Sequence, residues 1–140
     1  MSYIRYKNNN LFMENVSVRR LASKFNTPFY LYSENNIIEN YKSFSNIFKK
    51  SKPLICFSVK ANSNIQILKV LKKMGSGADV VSGGELLKAI KSGIQPSKIV
   101  FSGVGKTEEE IRLAIKKNIL LINVESENEA LLINKIAGNL

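Results

Sequence analysis

Two short motifs combine an apolar stretch with side chains that can do chemistry. The first, Cys56-Phe57-Ser58-Val59-Lys60-Ala61-Asn62, has the pattern of a short strand that delivers a lysine at its end. The second, Asp79-Val80-Val81-Ser82-Gly83-Gly84-Glu85, has the pattern of a strand running into a helix, with an acid on each side of the turn. A lysine at a strand end that faces a second polar strand end can present its amine to a carbonyl group. The two motifs therefore predict carbonyl chemistry at Lys60.

One face of the predicted strand Leu54–Lys60 has room for a ligand. Because side chains alternate along a strand, Leu54, Cys56, Ser58 and Lys60 share a face. The other face carries bulky residues that suit packing under helices, namely Ile55, Phe57 and Val59. The small side chains of Cys56 and Ser58 leave space beside the lysine for a flat ligand. A dry pocket there would favour the neutral amine that forms a Schiff base. The alternative is an ordinary lysine that faces solvent.

The second motif offers further candidates, each with a structural alternative. Asp79 lies inside a predicted strand, where aspartate is disfavoured, and this favours a role beside a cofactor. Ser82 and Glu85 could belong to the same site, but their spacing also fits a capping box at the start of a helix. Glu125 follows another predicted strand, so it is either a site residue or an acid at a helix entry.

Strand-like and helix-like segments alternate from Ser33 onward. A one-faced apolar stripe predicts a helix over Glu34–Lys50. Four predicted strands follow, at Leu54–Lys60, Ala78–Ser82, Lys98–Ser102 and Ile119–Val124. Capping motifs that begin at Ser63, Ser82, Thr107 and Ser126 open a helix after each strand. Units repeated about every twenty residues argue for parallel βαβ connections, so we predict an α/β fold with about four βα units.

Four βα units form either a small open sheet or half of an eight-stranded barrel. In a half-barrel, the last strand would leave an unpaired apolar edge, which is a liability for an isolated domain. The last predicted helix ends near Ala137, and Gly138-Asn139-Leu140 has the pattern of a turn leading to another strand. We therefore expect this chain to be a portion of a larger protein.

Composition limits the class of protein. The 140 residues are 44% hydrophobic and 23% charged, which is typical of one soluble globular domain. The single cysteine excludes an internal disulfide framework, and the absence of histidine argues against a zinc site, so we expect no metal. No apolar run approaches the length of a membrane span, and the first residues lack the pattern of a secretory signal. We expect a cytoplasmic protein.

The net charge of +10 raises the question of nucleic-acid binding. The lysines, however, cluster where predicted helices end, at Lys49, Lys50, Lys52, Lys72, Lys73, Lys116 and Lys117. Cations at these positions complement the helix dipoles, and no basic surface interleaved with aromatic residues is recognisable. We expect neither a nucleic-acid nor a membrane partner.

A glycine-rich run does not complete a nucleotide-binding motif. Gly103-Val104-Gly105-Lys106-Thr107 ends like a phosphate-binding loop, but Val100 stands where that motif needs its first glycine. Glu108 occupies the position of the third glycine in a dinucleotide-binding fingerprint. The run therefore predicts no nucleotide site.

The two opening motifs, in this order and spacing, resemble those of the pyridoxal-phosphate enzymes of the alanine racemase-like barrel class. Within that class they are most similar to the diaminopimelate decarboxylases. The resemblance covers nearly the whole chain, from Thr27-Pro28-Phe29-Tyr30-Leu31-Tyr32 to Asn123-Val124-Glu125-Ser126. Val80-Val81-Ser82-Gly83-Gly84-Glu85 favours this group over the ornithine decarboxylases, whose stretch typically lacks both glycines. Phe57 and Ser58 depart mildly from the usual Tyr-Ala.

The resemblance implies a fold and a cofactor. Residues 1–33 would contribute to a β-rich second domain, and residues 34–140 would form the N-terminal half of a TIM-type (β/α)8 barrel. Pyridoxal 5'-phosphate would be carried covalently by Lys60, the catalytic residue. Ser58, Asp79 and Glu85 would line the cofactor site. The complete enzyme would be a homodimer with a small amino-acid substrate.

The implied activity is decarboxylation of meso-diaminopimelate to L-lysine, a step of lysine biosynthesis. The groups that bind the cofactor phosphate and stack on its ring would lie outside these residues, so the 140 residues alone would be inactive. Two alternatives remain open from the sequence. One is a decarboxylase of another basic amino acid, and the other is a non-catalytic half-barrel that binds pyridoxal phosphate or a partner.

Overall fold

The chain begins with a small antiparallel sheet. The computed structural model describes residues 3–139. Met1 and Ser2, at the start of the first predicted domain, and Leu140, at the end of the second, lie outside the described residues. Strands β1 (Ile4–Lys7), β2 (Asn10–Met13) and β3 (Val16–Ser17) pair in sequence order, and helix α1 (Val18–Phe25) follows. The strands fit the predicted β-rich start of the chain.

The second part is a four-stranded parallel sheet with helices between its strands. Its elements are α2 (Glu34–Ile47), β4 (Cys56–Ser58), α3 (Ile65–Lys73), β5 (Gly77–Val80), α4 (Gly83–Lys91), β6 (Ile99–Phe101), α5 (Glu108–Lys116), β7 (Leu121–Ile122) and α6 (Glu127–Gly138). The strands pair in the order β4-β5-β6-β7, all parallel. This order is that of consecutive strands in a barrel and confirms the predicted α/β half-barrel.

Alternation along the strands separates an apolar face from a polar one. The face toward the helices carries fully buried residues, namely Val59, Ala78, Val80, Ile99 and Phe101. These pack with Leu68 of α3, Leu86 and Ala89 of α4, and Ala114 of α5 in one hydrophobic cluster. Burial of each large side chain contributes about 1.5–3 kcal/mol, so this layer holds the sheet and its helices together.

Side-chain caps begin the helices, mostly where the sequence predicts them. Ser82, Thr107 and Ser126 each accept a hydrogen bond from a backbone N–H of the first turn. Thr107 forms a complete capping box with Glu110. The cap of α3 is Asn64 rather than the predicted Ser63.

The strands are shorter than predicted. Strand β4 ends at Ser58, because Val59–Ala61 turns into a short 3-10 helix. Lys60 therefore follows the strand instead of ending it. Strand β7 contains only Leu121–Ile122. Helix α1 has no counterpart in the sequence predictions, while α2 ends at Ile47 and α6 continues to Gly138.

One acid connects the two parts of the chain. The Glu14 carboxylate accepts hydrogen bonds from the Ser33 hydroxyl (2.5 Å) and from the backbone and side-chain amides of Asn35 (3.2 and 2.9 Å). Ser33 is also the cap of α2. The hydrogen bond from Ser33 holds the pKa of Glu14 below its usual value. The turn after β2 is thereby fixed to the first turn of the half-barrel.

The open edge of the parallel sheet leaves apolar side chains exposed. Leu120, Leu121 and Val124 around β7 are each about half exposed. The predicted apolar edge is therefore present, although the continuous apolar run Ile119-Leu120-Leu121-Ile122 is of the kind that suits a strand buried on both faces. Within residues 3–139, no helix is long and apolar enough to cross a membrane.

Gly77 is required by the close approach of two strands. A Cβ there would lie 2.3 Å from the carbonyl oxygen of Lys98 and 2.8 Å from the Cys56 sulfur. Because the first contact is with backbone, we expect Gly77→Ala to lower the free energy of unfolding by about 2 kcal/mol or more. Urea unfolding followed by circular dichroism measures this.

Gly84→Ala is the matched control, because a Cβ at Gly84 meets only the Ser82 hydroxyl, at 3.9 Å. Alanine should leave this helical position equally or slightly more stable. Equal loss of stability in both variants would show that the Gly77 contact is not the cause.

Candidate functional site

The face of the parallel sheet away from the helices carries a row of polar side chains. Each strand, or the residue just after it, contributes one: Ser58, Asp79, Ser102 and Asn123. The Asp79 carboxylate accepts hydrogen bonds from the hydroxyls of Ser58 (Oγ to Oδ2, 3.2 Å) and Ser102 (Oγ to Oδ1, 2.5 Å). The Asn123 amide donates to the Ser102 hydroxyl (Nδ2 to Oγ, 2.9 Å). The row thus spans all four strands near their carboxyl ends, the edge at which barrel enzymes carry their active sites.

Lys60 lies in the 3-10 turn directly after β4, next to this row along the chain. Its side chain is exposed, so the predicted dry pocket is absent from this structure. Within residues 3–139, Lys60 is in no ion pair and its side chain makes no hydrogen bond. An exposed lysine without a partner is accessible to a carbonyl compound.

Glu85 is engaged at the start of α4. Its carboxylate accepts a hydrogen bond from the backbone N–H of Val81 (3.0 Å), and its own N–H donates to the Ser82 hydroxyl (3.2 Å). The residue therefore shapes the turn between β5 and α4. Ser82 caps α4 as the pattern predicts, but the reciprocal half of the capping box is not formed, because the Glu85 carboxylate binds the N–H of Val81 rather than that of Ser82.

The sequence analysis did not predict the role of Lys106. This side chain is 1% exposed and donates to the carbonyl oxygens of Gly103 and Asn123, both at 2.7 Å, and to Glu129 at 3.0 Å. All three ammonium protons are used, so Lys106 serves no phosphate group. The one available signal was a lysine between a glycine-rich turn and a capping threonine, a pattern that also fits a phosphate loop.

Acidic side chains hold the backbone around these strand ends. Burial works against ionisation of Glu129, yet the N–H of Glu125 and the Lys106 ammonium hold the pKa of Glu129 below its usual value. The Glu125 carboxylate accepts from the N–H of Gly103 at 3.1 Å. Through this bond Glu125, which lies just before the cap of α6, fixes the loop after β6.

Glu110 joins two helix starts. Its carboxylate accepts from the N–H of Gly83 (2.7 Å) in the first turn of α4, and from the N–H and hydroxyl of Thr107 (3.0 and 3.1 Å). The hydrogen bond from Gly83 is the main reason that the pKa of Glu110 lies below its usual value. The turn that follows the Asp79 strand is thereby tied to α5.

Cys56 is a packing residue. Its thiol is half-buried and lies 3.8 Å from the carbonyl oxygen of Lys98. Burial, with a smaller contribution from Asp79, raises the pKa of the thiol. A raised pKa makes the reactive thiolate scarce. Among the described residues, no group of three side chains could hold a metal ion.

Comparisons with known proteins point to one family. The sequence model for "Pyridoxal-dependent decarboxylase, pyridoxal binding domain" matches residues 34–140. The chain is 48% identical to a curated diaminopimelate decarboxylase of Aquifex aeolicus, over 99% of this chain and 32% of that protein. It is 51% identical to that of Helicobacter pylori, over 86% of this chain and 30% of that protein.

A solved structure agrees with these sequence relatives. The crystal structure of diaminopimelate decarboxylase from M. jannaschii in complex with L-lysine matches with a TM-score of 0.93 and 40% identity. The match covers 97% of this chain and 33% of that one. The chain therefore spans about a third of the length of the relatives that it matches.

The residues at this edge of the sheet fit pyridoxal phosphate by their chemistry. The aldehyde needs an accessible amine, and Lys60 is exposed and unpaired within residues 3–139. A polar cofactor needs donors and acceptors, and the row beginning at Ser58 and Asp79 lies on the neighbouring strands. Lys60, Ser58 and Asp79 are the residues that would hold the group.

Glu110 should make the stability of the protein depend on acid pH. Its pKa is lower in the folded protein than in the unfolded chain, so its contribution is complete above the unfolded value of about 4.5 and is lost as the pH falls through the folded value. Glu110→Gln should cost about 1 kcal/mol at neutral pH, because the amide cannot accept both sets of hydrogen bonds. The difference should shrink as the pH falls below about 4.5 and through the lower folded pKa. Urea unfolding at neutral pH and at a series of acid pH values measures it.

Glu109→Gln makes the same change of charge one residue earlier. Glu109 is exposed and accepts no side-chain hydrogen bond within residues 3–139. We expect at most a few tenths of a kcal/mol, the size of a helix-dipole effect. An equal loss in both variants would mean that charge alone, and not the Gly83 contact, is responsible.

Proposed function

Because the chain belongs to the pyridoxal-dependent decarboxylase family, through the pyridoxal-binding domain, we propose that its complete gene product removes a carboxyl group from meso-diaminopimelate as carbon dioxide to give L-lysine. The cofactor is pyridoxal 5'-phosphate, held by Lys60. The observation that carries this proposal is the exposed Lys60 just after β4, which has no side-chain partner among residues 3–139 and lies next to the polar row of the sheet along the chain.

The choice of substrate rests on the relatives. Curated diaminopimelate decarboxylases are 40–51% identical over 86–100% of this chain. The solved arginine decarboxylase of Paramecium bursaria Chlorella virus, at 21% identity, shares the fold alone. The difference in identity supports diaminopimelate over arginine as the substrate of the complete protein.

The residues of this chain have defined parts in the proposed reaction. Bound pyridoxal phosphate supplies the electron sink that accepts the electron pair left when carbon dioxide departs. Lys60 would hold the cofactor through its Nζ amine, and the same amine, when free, would carry a proton. Asp79 provides a carboxylate on the strand paired with β4, and the hydroxyl of Ser58 donates a hydrogen bond to one of its oxygens. Glu85 keeps the turn after the Asp79 strand in place.

The remainder of the protein completes the site. We expect the groups that bind the cofactor phosphate and stack on its ring to lie beyond this chain, which spans about a third of its relatives. We also expect a cytoplasmic homodimer, as the family resemblance implies. Light scattering of the complete gene product measures the oligomeric state.

Borohydride reduction should fix cofactor mass on Lys60 of the complete gene product. The reduced bond survives proteolysis, so peptide mass spectrometry identifies the labelled lysine. Lys60→Ala should abolish both the label and carbon dioxide release, because the covalent attachment is lost. Lys69→Ala is the matched control, since Lys69 is an exposed lysine of α3. Label on several surface lysines, or on none, would refute the assignment of Lys60.

A substrate panel separates the proposed activity from its alternatives. With meso-diaminopimelate, lysine, ornithine and arginine offered separately, we expect carbon dioxide release from meso-diaminopimelate alone. Release from one of the other three would assign the protein to a different basic amino acid. A protein that carries the label on Lys60 but releases no carbon dioxide from any of them would be a non-catalytic cofactor binder.

A further inference from the structure

The structure adds two residues to the proposed cofactor site. We propose that Ser102 and Asn123 are positioning residues that hold the Asp79 carboxylate in one orientation. In that orientation, the negative charge of Asp79 stabilises a proton on the Lys60 nitrogen when pyridoxal phosphate is bound. This inference rests on the proposed function. Neither residue is a candidate from sequence pattern, because a serine and an asparagine at strand ends are common in turns.

Asp79 has no cationic partner. Within residues 3–139, the two ion pairs are Lys106 with Glu129 and Arg112 with Glu108, and neither involves Asp79. Its carboxylate is partly buried on the sheet face away from the helices. A partly buried carboxylate without a cation needs hydrogen-bond donors, and here two hydroxyls supply them.

The direction of these hydrogen bonds is set by Asn123. The amide nitrogen of Asn123 donates to Ser102 Oγ at 2.9 Å. A hydroxyl has a single proton, and the ionised carboxylate can only accept. Ser102 therefore accepts from Asn123 and directs its proton to Asp79 Oδ1, at 2.5 Å. Bonds arranged in series in this way polarise one another, which strengthens the hold on the carboxylate.

Asn123 is itself held by the buried lysine. Lys106 Nζ donates to the backbone carbonyl of Asn123 at 2.7 Å, and the backbone N–H of Asn123 donates to the Phe101 carbonyl at 2.8 Å. Both backbone groups of Asn123 are thus fixed at the end of β7. The Asn123 side chain reaches Ser102 from a rigid position.

The row ends next to the proposed cofactor lysine. Ser58 pairs in register with Asp79 and donates to Asp79 Oδ2 at 3.2 Å. Lys60 follows Ser58 by two residues. Within residues 3–139, neither the Asp79 carboxylate nor Lys60 is in an ion pair, and the two residues belong to neighbouring strand ends. An oriented carboxylate in such a position favours the charged form of a neighbouring nitrogen.

The test follows the visible absorption of pyridoxal phosphate bound to the complete gene product at a fixed, mildly alkaline pH. The ratio of the long-wavelength to the short-wavelength band reports how much of the Lys60 nitrogen carries a proton. Ser102→Ala should lower this ratio about three- to tenfold, the size expected from one net hydrogen bond. Asp79→Asn should lower it at least as much, and Ser102→Thr, which keeps the hydroxyl, should restore it to within about twofold of the unaltered protein.

The double variant Ser102→Ala with Asp79→Asn shows whether Ser102 acts through Asp79. We expect the same ratio as with Asp79→Asn alone, because the oriented charge is already gone. Ser92→Ala is the matched control, since it removes a buried hydroxyl that donates only to the Ala89 carbonyl at the far end of α4. If Ser102→Ala does not fold, Asn123→Ala removes the same directional constraint and should lower the ratio in the same sense.

Three results would overturn the inference. The first is an absorption-band ratio that Ser102→Ala leaves unchanged while Asp79→Asn lowers it. The second is a ratio in the double variant that falls below that of Asp79→Asn alone. The third is a fall in Ser92→Ala as large as that in Ser102→Ala. Failure of the proposed function is distinguishable: without cofactor binding the unaltered protein would show neither band and no label on Lys60, and without the proposed decarboxylation it would fail in the substrate panel while both bands remain measurable.

Discussion

The structure depends on the strict alternation of side chains across one parallel sheet. Every second residue enters the apolar layer under the helices, where Val80 and Phe101 are fully buried. The residues between them must therefore face the other side, and Asp79 and Ser102 do so in hydrogen-bonding contact. A slip of one residue in any strand would put a carboxylate into the apolar layer and a large apolar side chain into the polar row. The same register that buries the core thus assembles the candidate site.

Acidic side chains bind backbone N–H groups near the strand ends. Each helix start leaves N–H groups without partners inside the helix. In this chain, Glu85, Glu110 and Glu129 accept backbone N–H groups at or just before helix starts, namely those of Val81, Gly83, Thr107 and Glu125. Acids are scarce here, with 11 acidic against 21 basic residues. Their concentration at one edge of the sheet stiffens the turns that carry the proposed cofactor site.

Sequence pattern predicted the parts of this fold that depend on local chemistry. Caps at Ser82, Thr107 and Ser126 are visible because a side-chain acceptor must stand at a fixed distance from the helix start. The parallel sheet follows from the repeat of strand and helix. Helix α1, over Val18–Phe25, was missed, since it has no acid in its first turn and contains no buried residue. The polar row was only half predicted: Asp79 is unusual within a strand, whereas the pairing of Ser102 with Asn123 depends on register and not on local sequence.

The contrast between two lysines shows what makes one of them available for covalent chemistry. Lys106 and Lys60 both follow strands at the same edge of the sheet. Lys106 is surrounded by two carbonyl oxygens and the Glu129 carboxylate, which leaves its ammonium buried, charged and saturated. Lys60 has no such acceptors within residues 3–139, and the carboxylate of the neighbouring row, Asp79, is bound by the hydroxyls of Ser58 and Ser102. These hydroxyls orient the Asp79 carboxylate, while the exposed Lys60 amine stays accessible to an aldehyde. The hydrogen-bond acceptors around each lysine thus decide which lysine is available for covalent chemistry. A lysine-rich composition alone would not single out Lys60.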